Sequence, residues 1–145
     1  NATGQVVISG AAAACERALA KAKEVGIRKA IPLSVAGAFH SALMAPAADR
    51  LRAAIASVTL HDPRVPVYTN VHAGPVIKAS EVPDLLVAQL TKPVRWAESL
   101  VNMQRAGITE FWELGPGKTL SGMISRTLKD VTCKNCDKAA DVAGF

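Results

Sequence analysis

Aromatic residues are scarce in this chain of 145 residues, which has three Phe, two Trp and one Tyr, or 4% of the sequence. None of them alternates with basic residues, so the stacking surfaces of single-strand nucleic-acid binders are missing. The net charge of +5 comes from basic residues scattered along the chain rather than gathered in one tract. This balance suits an acidic partner, and we expect no nucleic-acid binding.

Long apolar runs are also missing, and no stretch of the sequence approaches the ~18 residues of a membrane span. Cysteine is limited to Cys15, Cys133 and Cys136. An odd count of this kind does not make a disulfide framework, which favours a reducing compartment. We therefore expect a soluble protein without a membrane partner, in the cytoplasm or, in a eukaryote, the plastid stroma.

Strand and helix patterns alternate along the chain. The β-branched run QVVISG at 5–10 is followed by the helical pattern AAAACERALAKAKEVG and by the extended run KAIPLSV at 29–35. Further helices are predicted within 41–58, 80–90 and 93–107 and after Gly117, and further strands within 64–71 and 108–115. The pattern predicts an α/β fold without internal repeats. From about Lys129 onward the periodicity is lost, and an irregular tail is expected.

Two short motifs resemble binding sites only in part. GPGK at 115–118 lacks the glycine spacing of a phosphate loop, and Pro116 removes a backbone donor, so a plain strand-to-helix turn is predicted. CKNC at 133–136 has half the spacing of a zinc site, with no second pair to complete it. His61 and His72 flank a predicted strand in polar company and are interpreted as surface residues. No metal site is predicted.

His40 has surroundings that are typical of a functional histidine. It lies between an extended segment and a helix that is predicted to begin just after it, with Pro46 tolerated only in the first turn. Such a position holds a side chain at the edge of a sheet and open to a cleft. The local sequence leaves two interpretations open, a catalytic base and a hydrogen-bonded structural histidine.

Five motifs in register extend beyond these local signals. They are NATGQVVISG, GAFHSALMAPAADRL, VPVYTNV, QLTKPVRWAESL and ELGPGKTLSGMI. In order and spacing the chain from Asn1 to about Leu128 resembles the second half of the malonyl-CoA:acyl-carrier-protein transacylases. The resemblance implies an α/β fold: the C-terminal half of a hydrolase-like α/β domain with part of a small ferredoxin-like lobe. Residues 1–35 would belong to the small lobe and 36–128 to the larger domain, with 129–145 as the irregular tail.

The resemblance also implies a chemistry. A malonyl group would pass from coenzyme A to the phosphopantetheine thiol of acyl carrier protein through a serine ester, with malonyl-CoA as substrate and no permanently bound cofactor. A serine hydroxyl needs a base to attack a thioester, and His40 matches the family's general base. Gln89 matches the residue whose backbone carbonyl accepts the other ring N–H and selects the tautomer.

Four more positions match binding residues of the family. Asn1 and Gln5 match polar residues toward the pantetheine entrance, and Asn70 matches an asparagine near the floor of the active site. Phe39 matches the bulky neighbour of the base, and an AFH triplet accompanies malonyl choice in related polyketide acyltransferases. Its ring would occupy the space of an α-methyl group. Ordinary core packing is the alternative interpretation of Phe39.

The nucleophile motif of the family is missing from the sequence. No glycine is followed two residues later by serine, as G-x-S-x-G requires. In the family the arginine that binds the malonyl carboxylate and the oxyanion-hole donor lie upstream with that motif. The chain also begins at Asn1 without Met, directly before a predicted strand. We expect that the N-terminal half of the enzyme is either a partner present as another chain or a part that is lost or not included in these residues, and that the chain alone is inactive.

Two other classes of function remain open. The chain could be a noncatalytic module that docks acidic carrier protein, which its positive charge would suit. It could also be the acyltransferase region of a larger polyketide or fatty-acid synthase, although the loss of pattern after Leu128 argues against a following domain.

Overall fold

Helices provide most of the regular structure in the computed structural model, which describes residues 1–142. The α-helices are α1 (Ala12–Glu24), α2 (Ala48–Ala56), α3 (Val82–Gln89), α4 (Trp96–Arg105), α5 (Thr119–Thr127) and α6 (Ala139–Val142), and 3₁₀ helices span Ala42–Ala47 and Ala79–Glu81. Each predicted helix is confirmed. The helical region after His40 opens as a 3₁₀ helix that contains Pro46, since proline lacks the N–H that an α-helix interior would use.

Within residues 1–142, four short strands form two separate pairs. They are β1 (Val67–Tyr68), β2 (Pro75–Val76), β3 (Glu110–Leu114) and β4 (Thr132–Cys136). Strands β1 and β2 form an antiparallel hairpin, whereas β3 and β4 are parallel, with Glu110 opposite Thr132 and Leu114 opposite Cys136. Parallel strands require a crossover connection, and α5 provides it. The predicted strands within 64–71 and 108–115 and the α/β class are confirmed.

The strands predicted at 5–10 and 29–35 are wrong, because neither segment joins a ladder within residues 1–142. Both have strand-like composition, but a strand exists only where another strand accepts its hydrogen bonds.

The irregular tail predicted from Lys129 also needs correction. Residues 132–136 form β4, which is too polar to show an apolar alternation but pairs with β3 along its length. Cys133 and Cys136 lie three positions apart on this strand, so their side chains point to opposite faces and do not converge. The last three positions of the predicted tail, 143–145, lie outside the described residues.

The contacts divide the chain into two units. The first unit comprises Asn1–Val6, Pro66–Val76 and the chain from Arg95 onward, and the second unit comprises Val7–Val65 and Ile77–Val94. The division into parts at 1–35, 36–128 and 129–145 stays a prediction. In neither unit, over residues 1–142, is there a helix of the length and apolar character needed to cross a bilayer.

The buried core lies in the first unit. Leu100 of α4, Ile124 of α5 and Leu128 form its centre, and half-buried side chains pack against them: Trp96, Val101, Phe111, Val131 and Cys133. In the second unit α2 packs against α3, where an exposed ion pair joins Arg52 to Asp84 at 2.8 Å.

In the first unit, Glu113 accepts hydrogen bonds from the first turn of α5. Helix α5 has no side-chain cap at Lys118, so its first N–H groups need acceptors from elsewhere. The Glu113 carboxylate accepts from Ser121 Oγ at 2.6 Å and from the backbone N–H groups of Ser121 and Leu120 at 2.7 and 2.9 Å, and Asn135 Nδ2 of β4 lies 3.1 Å away. These donors, above all the Ser121 hydroxyl, lower the pKa of Glu113 to about 2.

This bonding predicts an acid-sensitive fold. A carboxyl whose pKa falls from 4.5 to about 2 on folding stabilises the chain fully above pH ~4.5, and that contribution is lost as the pH falls toward 2. Glu113→Gln should therefore reduce the free energy of unfolding at pH 7 and flatten its dependence on pH between 4.5 and 2. Urea unfolding at several pH values measures both effects, with Glu16→Gln on α1 as the exposed control. A variant with the pH dependence of the wild type would contradict the assignment.

Candidate functional site

The turn that presents His40 is held by Ser41, which caps the 3₁₀ helix that follows. Ser41 Oγ accepts from the Leu43 N–H at 3.3 Å and donates to the Ala38 carbonyl at 2.7 Å. Serine at a helix N-cap satisfies a backbone donor that the helix itself leaves free. Ser41 Oγ thus bonds to the backbone on both sides of His40, and this hydroxyl donates its hydrogen within the turn.

His40 is attached to the end of α3 by its backbone and by its ring. Its N–H donates to the Leu90 carbonyl at 2.9 Å, and its Nδ1 lies 2.8 Å from the Gln89 carbonyl oxygen. The backbone at His40 is left-handed, with φ at 65°, a conformation that is uncommon outside glycine. Two neighbouring carbonyls of another segment thus hold this residue in a strained conformation, which is typical of functional positions.

The contacts at Nδ1 favour one tautomer. The Gln89 carbonyl oxygen only accepts, so its 2.8 Å contact with Nδ1 is a hydrogen bond when Nδ1 carries the proton, and Nε2 is then the acceptor of the neutral ring. Gln89 Nε2 lies farther from Nδ1, at 3.1 Å, and would donate to it only in the other tautomer; this amide also donates to the Lys92 carbonyl at 3.1 Å. Within residues 1–142 no group hydrogen-bonds to His40 Nε2. The exposed ring therefore offers a free acceptor.

An apolar pocket lies beside the ring. It measures about 230 Å³ and is lined by Phe39, His40, Leu51, Leu86, Gln89 and Leu90, a set that we call the His40 pocket. Phe39 is 48% exposed, and its ring centre is 6.5 Å from that of His40. Interior packing within the described residues therefore does not account for Phe39.

The other predicted binding residues belong to the first unit. Asn70 lies in the turn between β1 and β2, where its carbonyl accepts from the Arg95 N–H at 2.9 Å. Gln5 Oε1 accepts from Arg126 at 3.3 Å, and Asn1 is half-buried. The structure thus brings Phe39, His40 and Gln89 together in the second unit, whereas Asn1, Gln5 and Asn70 belong to the first.

The remaining motifs hold no binding site in the described residues. GPGK forms the predicted turn between β3 and α5, with Gly115 and Gly117 at positive φ. The Gly117 N–H donates to the Asp137 carboxylate at 3.0 Å, where an anionic ligand would be repelled. Residues 1–142 contain no group of three or more His, Cys, Asp and Glu side chains that could hold a metal ion. His61 and His72 are exposed, as predicted.

No serine among residues 1–142 lies within hydrogen-bond distance of His40. Several serine hydroxyls donate to other groups of the chain, namely those of Ser41, Ser57, Ser99, Ser121 and Ser125. The base-like arrangement at His40 is therefore present without a nucleophile.

Sequence reasoning missed four residues that contribute to this site, namely Ser41, Leu51, Leu86 and Leu90. Ser41 was detectable, since serine directly before a helix is a capping signal. The Leu90 carbonyl was not detectable from the sequence, because every residue has a carbonyl. This one lies 50 positions from His40 along the chain. Leu51 and Leu86 lie in apolar helical patterns that predict packing but not a pocket.

The acyl transferase domain family matches residues 1–144. Because the match covers nearly the whole chain, the chain belongs to this family.

Particular relatives are transacylases. The malonyl CoA-acyl carrier protein transacylase of Synechocystis sp. is 39% identical over 142 residues, covering 98% of this chain and 47% of the relative. That of Haemophilus influenzae is 40% identical over 145 residues, covering 100% and 46%. The chain spans about half the length of the curated relatives it matches.

Solved structures agree with this assignment. The crystal structure of malonyl-CoA:acyl carrier protein transacylase from Xanthomonas oryzae pv. oryzae has a TM-score of 0.87 at 41% identity, covering 93% of this chain and 43% of that one. A type II polyketide acyl-carrier protein in complex with its malonyl-transacylase also gives a TM-score of 0.87, at 33% identity and with 92% and 43% coverage.

The bond to Gln89 predicts the tautomer of His40 in solution. Two-dimensional ¹H–¹⁵N spectra of the imidazole rings should show neutral His40 protonated at Nδ1, with exposed His61 as the reference. Gln89→Ala should leave this tautomer unchanged, because the backbone carbonyl remains. A proton found at Nε2 in the wild-type protein would rule out the proposed orientation.

Proposed function

We propose that this chain is the histidine-bearing part of an acyltransferase that moves a malonyl group from coenzyme A to the phosphopantetheine thiol of acyl carrier protein in fatty acid biosynthesis. The observation that carries the proposal is the orientation of His40, whose Nδ1 lies 2.8 Å from the Gln89 carbonyl oxygen while no group within residues 1–142 bonds to Nε2 of the exposed ring. The names of the relatives support the choice of substrate and reaction.

His40 acts as general base and then as general acid in this mechanism. As serine Oγ bonds to the malonyl carbonyl carbon, its proton passes to Nε2. The C–S bond then breaks, and the departing thiolate of coenzyme A takes that proton. In the second half-reaction the thiol of the carrier protein gives its proton to His40 Nε2, and the thiol sulfur attacks the carbonyl carbon of the serine ester. The serine oxygen leaves and recovers the proton, so no cofactor is needed.

The serine comes from outside these 145 residues. Without a G-x-S-x-G motif in the sequence or a serine near His40, a second segment of the acyltransferase must provide the nucleophile. We call it the serine-bearing segment, and we propose that it also provides the arginine for the malonyl carboxylate. It would complete the larger domain formed by residues 36–128 and the small lobe begun by residues 1–35.

The acidic carrier protein is the proposed partner. The net charge of +5 favours its approach, and one structural neighbour is in complex with an acyl-carrier protein. Asn1, Gln5 and Asn70 are proposed to contact the substrate or its pantetheine arm. A reducing compartment, the cytoplasm or a plastid stroma, suits the three free cysteines.

Removal of the base tests the proposal. In an enzyme assembled by joining this chain to the serine-bearing segment of the Haemophilus influenzae relative, His40→Asn should lower malonyl transfer ~10² to 10⁴-fold, as expected for loss of a positioned proton acceptor. Asparagine tolerates the left-handed backbone at this position, so the thermal midpoint should hold. Transfer rates and melting midpoints are measured on the same samples.

Two controls accompany this measurement. His72→Ala changes an exposed histidine and should leave transfer unchanged, and the 145-residue chain alone should form no malonyl ester by mass spectrometry. A collapsed midpoint with normal turnover per folded molecule would identify His40 as structural. A stable malonyl ester on the chain alone would show that the nucleophile lies within it.

Phe39 is proposed to select malonyl over α-methylated substrates. Because its exposed ring lies beside the base, Phe39→Ser should make room for a methyl group and raise the ratio of methylmalonyl to malonyl kcat/KM by about tenfold or more. The assembled enzyme is assayed with both thioesters in competition, with Val58→Ser, an exposed position outside the His40 pocket, as the control. An unchanged ratio would remove Phe39 from substrate selection.

A further inference from the structure

We propose that Arg95 is a positioning residue for the acyl transfer, because its guanidinium group holds the turn that presents Asn70. The turn comprises residues 69–74, joins β1 to β2, and is called the Asn70 turn below. The inference rests on the proposed function, in which Asn70 contacts the substrate or its pantetheine arm. It adds the side chain that determines where Asn70 stands.

The Asn70 turn is stabilised only in part by its own hydrogen bonds. The Ala73 N–H donates to the Thr69 carbonyl at 2.8 Å, and the Thr69 N–H donates to the Gly74 carbonyl at 3.3 Å. Ala73 is buried, and its backbone is left-handed, with φ at 56°. The two strands have only two residues each, and so short a hairpin is at best marginally stable by itself. Contacts from elsewhere in the first unit are therefore needed to hold the turn.

Arg95 and Asn102 provide these contacts from the start and the middle of α4. The groups that accept are four consecutive carbonyls of the turn, those of Asn70, Val71, His72 and Ala73. The Arg95 backbone N–H donates to the first at 2.9 Å, and Arg95 Nη1 donates to the second and third at 3.1 and 3.3 Å. Asn102 Nδ2 donates to the fourth at 2.8 Å. The main chain on both sides of Asn70 is thus attached to α4.

This arrangement requires arginine in particular. Arg95 Nε and Nη2 donate to the carboxylate of Glu98, the bond from Nε being 2.8 Å long, and Nη1 faces the carbonyls. A guanidinium is planar with its donors in a fixed fork, so the bonds to Glu98 also fix the direction of Nη1. Helix α4 carries Glu98 in its first turn and Leu100 in the buried core. The turn is therefore tied through Arg95 to the core of the first unit, which a lysine with its single nitrogen could not achieve.

Asn70 keeps its own side chain available. The residue is exposed, and within residues 1–142 no group hydrogen-bonds to its side-chain amide, which can both donate and accept. A contact group that is held in place beforehand loses less conformational freedom when a ligand binds. Loosening the turn should therefore weaken the binding of substrate more than it slows proton transfer. Substitutions at Arg95 loosen the turn without releasing it, because the bond from the backbone N–H remains.

Transfer kinetics of the assembled enzyme test the inference. Arg95→Gln should raise KM for malonyl-CoA about tenfold and change kcat less than about threefold, as expected when a binding contact is lost. Asn70→Ala should raise KM to a similar extent, and the double variant should not exceed it, because the two residues act through one contact. Arg95→Lys should resemble Arg95→Gln, although it keeps the charge. The control is Arg52→Gln, which removes an exposed, carboxylate-paired arginine from the second unit and should leave KM unchanged.

Hydrogen exchange of the same samples, followed by mass spectrometry, gives a readout that does not depend on activity. In Arg95→Gln the amides of the Asn70 turn, above all those of Thr69 and Ala73, should exchange about tenfold faster or more, since the turn opens more often. In Arg52→Gln they should exchange at the wild-type rate. Glu98→Gln leaves the guanidinium in place without its carboxylate and should raise both KM and exchange by smaller factors. It decides the result where Arg95→Gln does not fold.

Each failure has a distinct signature. A wild-type KM in Arg95→Gln or in Asn70→Ala would overturn the inference and leave the proposed function intact. Unchanged exchange in the turn, additive increases of KM in the double variant, or a fall in kcat at constant KM would overturn it as well, the last because it marks a loss of folded enzyme. Absence of transfer by the wild-type assembled enzyme would overturn the proposed function, and the inference with it.

Discussion

Two neighbouring carbonyls at the end of α3 determine what His40 can do. The Leu90 carbonyl oxygen accepts a hydrogen bond from the backbone N–H of His40, and the Gln89 carbonyl oxygen lies 2.8 Å from the ring Nδ1. Both carbonyls lie about 50 residues from His40 along the chain. The first bond holds an unusual backbone angle, and the second favours the tautomer with the proton on Nδ1. The orientation of the ring follows from this double attachment, which needs no carboxylate.

The two units differ in how they bury apolar surface. The first has a continuous core around Leu100 and Ile124, whereas the second leaves many apolar side chains in water. Those at Val7, Ile8, Ile31, Leu33 and Val35 are each at least half exposed. Exposed apolar surface of this extent marks a region that packs against something else. His40, the proposed base, therefore lies in the unit that leaves more apolar surface exposed.

Helices were predictable because their signals are local. The spacing of apolar residues and the turns at Gly26 and Gly107 gave α1 and α4 without knowledge of the rest of the fold. Strands were less predictable, because a strand forms only when it pairs with another strand, which can lie far away in the sequence. The runs at 5–10 and 29–35 have good strand composition and remain unpaired, whereas polar β4 pairs fully with β3.

The residues of the candidate site also differ in whether a local sequence signal identifies them. His40 was a candidate from its position before a helix, and Ser41 carries a recognisable capping signal. Gln89 was found through family resemblance alone, since its contribution is a carbonyl that every residue has. The pocket was invisible in the sequence, because it arises where α2 and α3 meet beside Phe39.

The attachment of α5 to Glu113 has a consequence for folding order. The helix takes its N-terminal acceptor from the preceding strand, only seven residues away, so closing this loop costs little entropy. Neither element has a complete set of hydrogen bonds without the other, and the two should form together as an early cooperative unit. Strand β4 belongs to the same unit, because β3 forms its ladder only with β4, and Asn135 Nδ2 of β4 lies 3.1 Å from the same carboxylate.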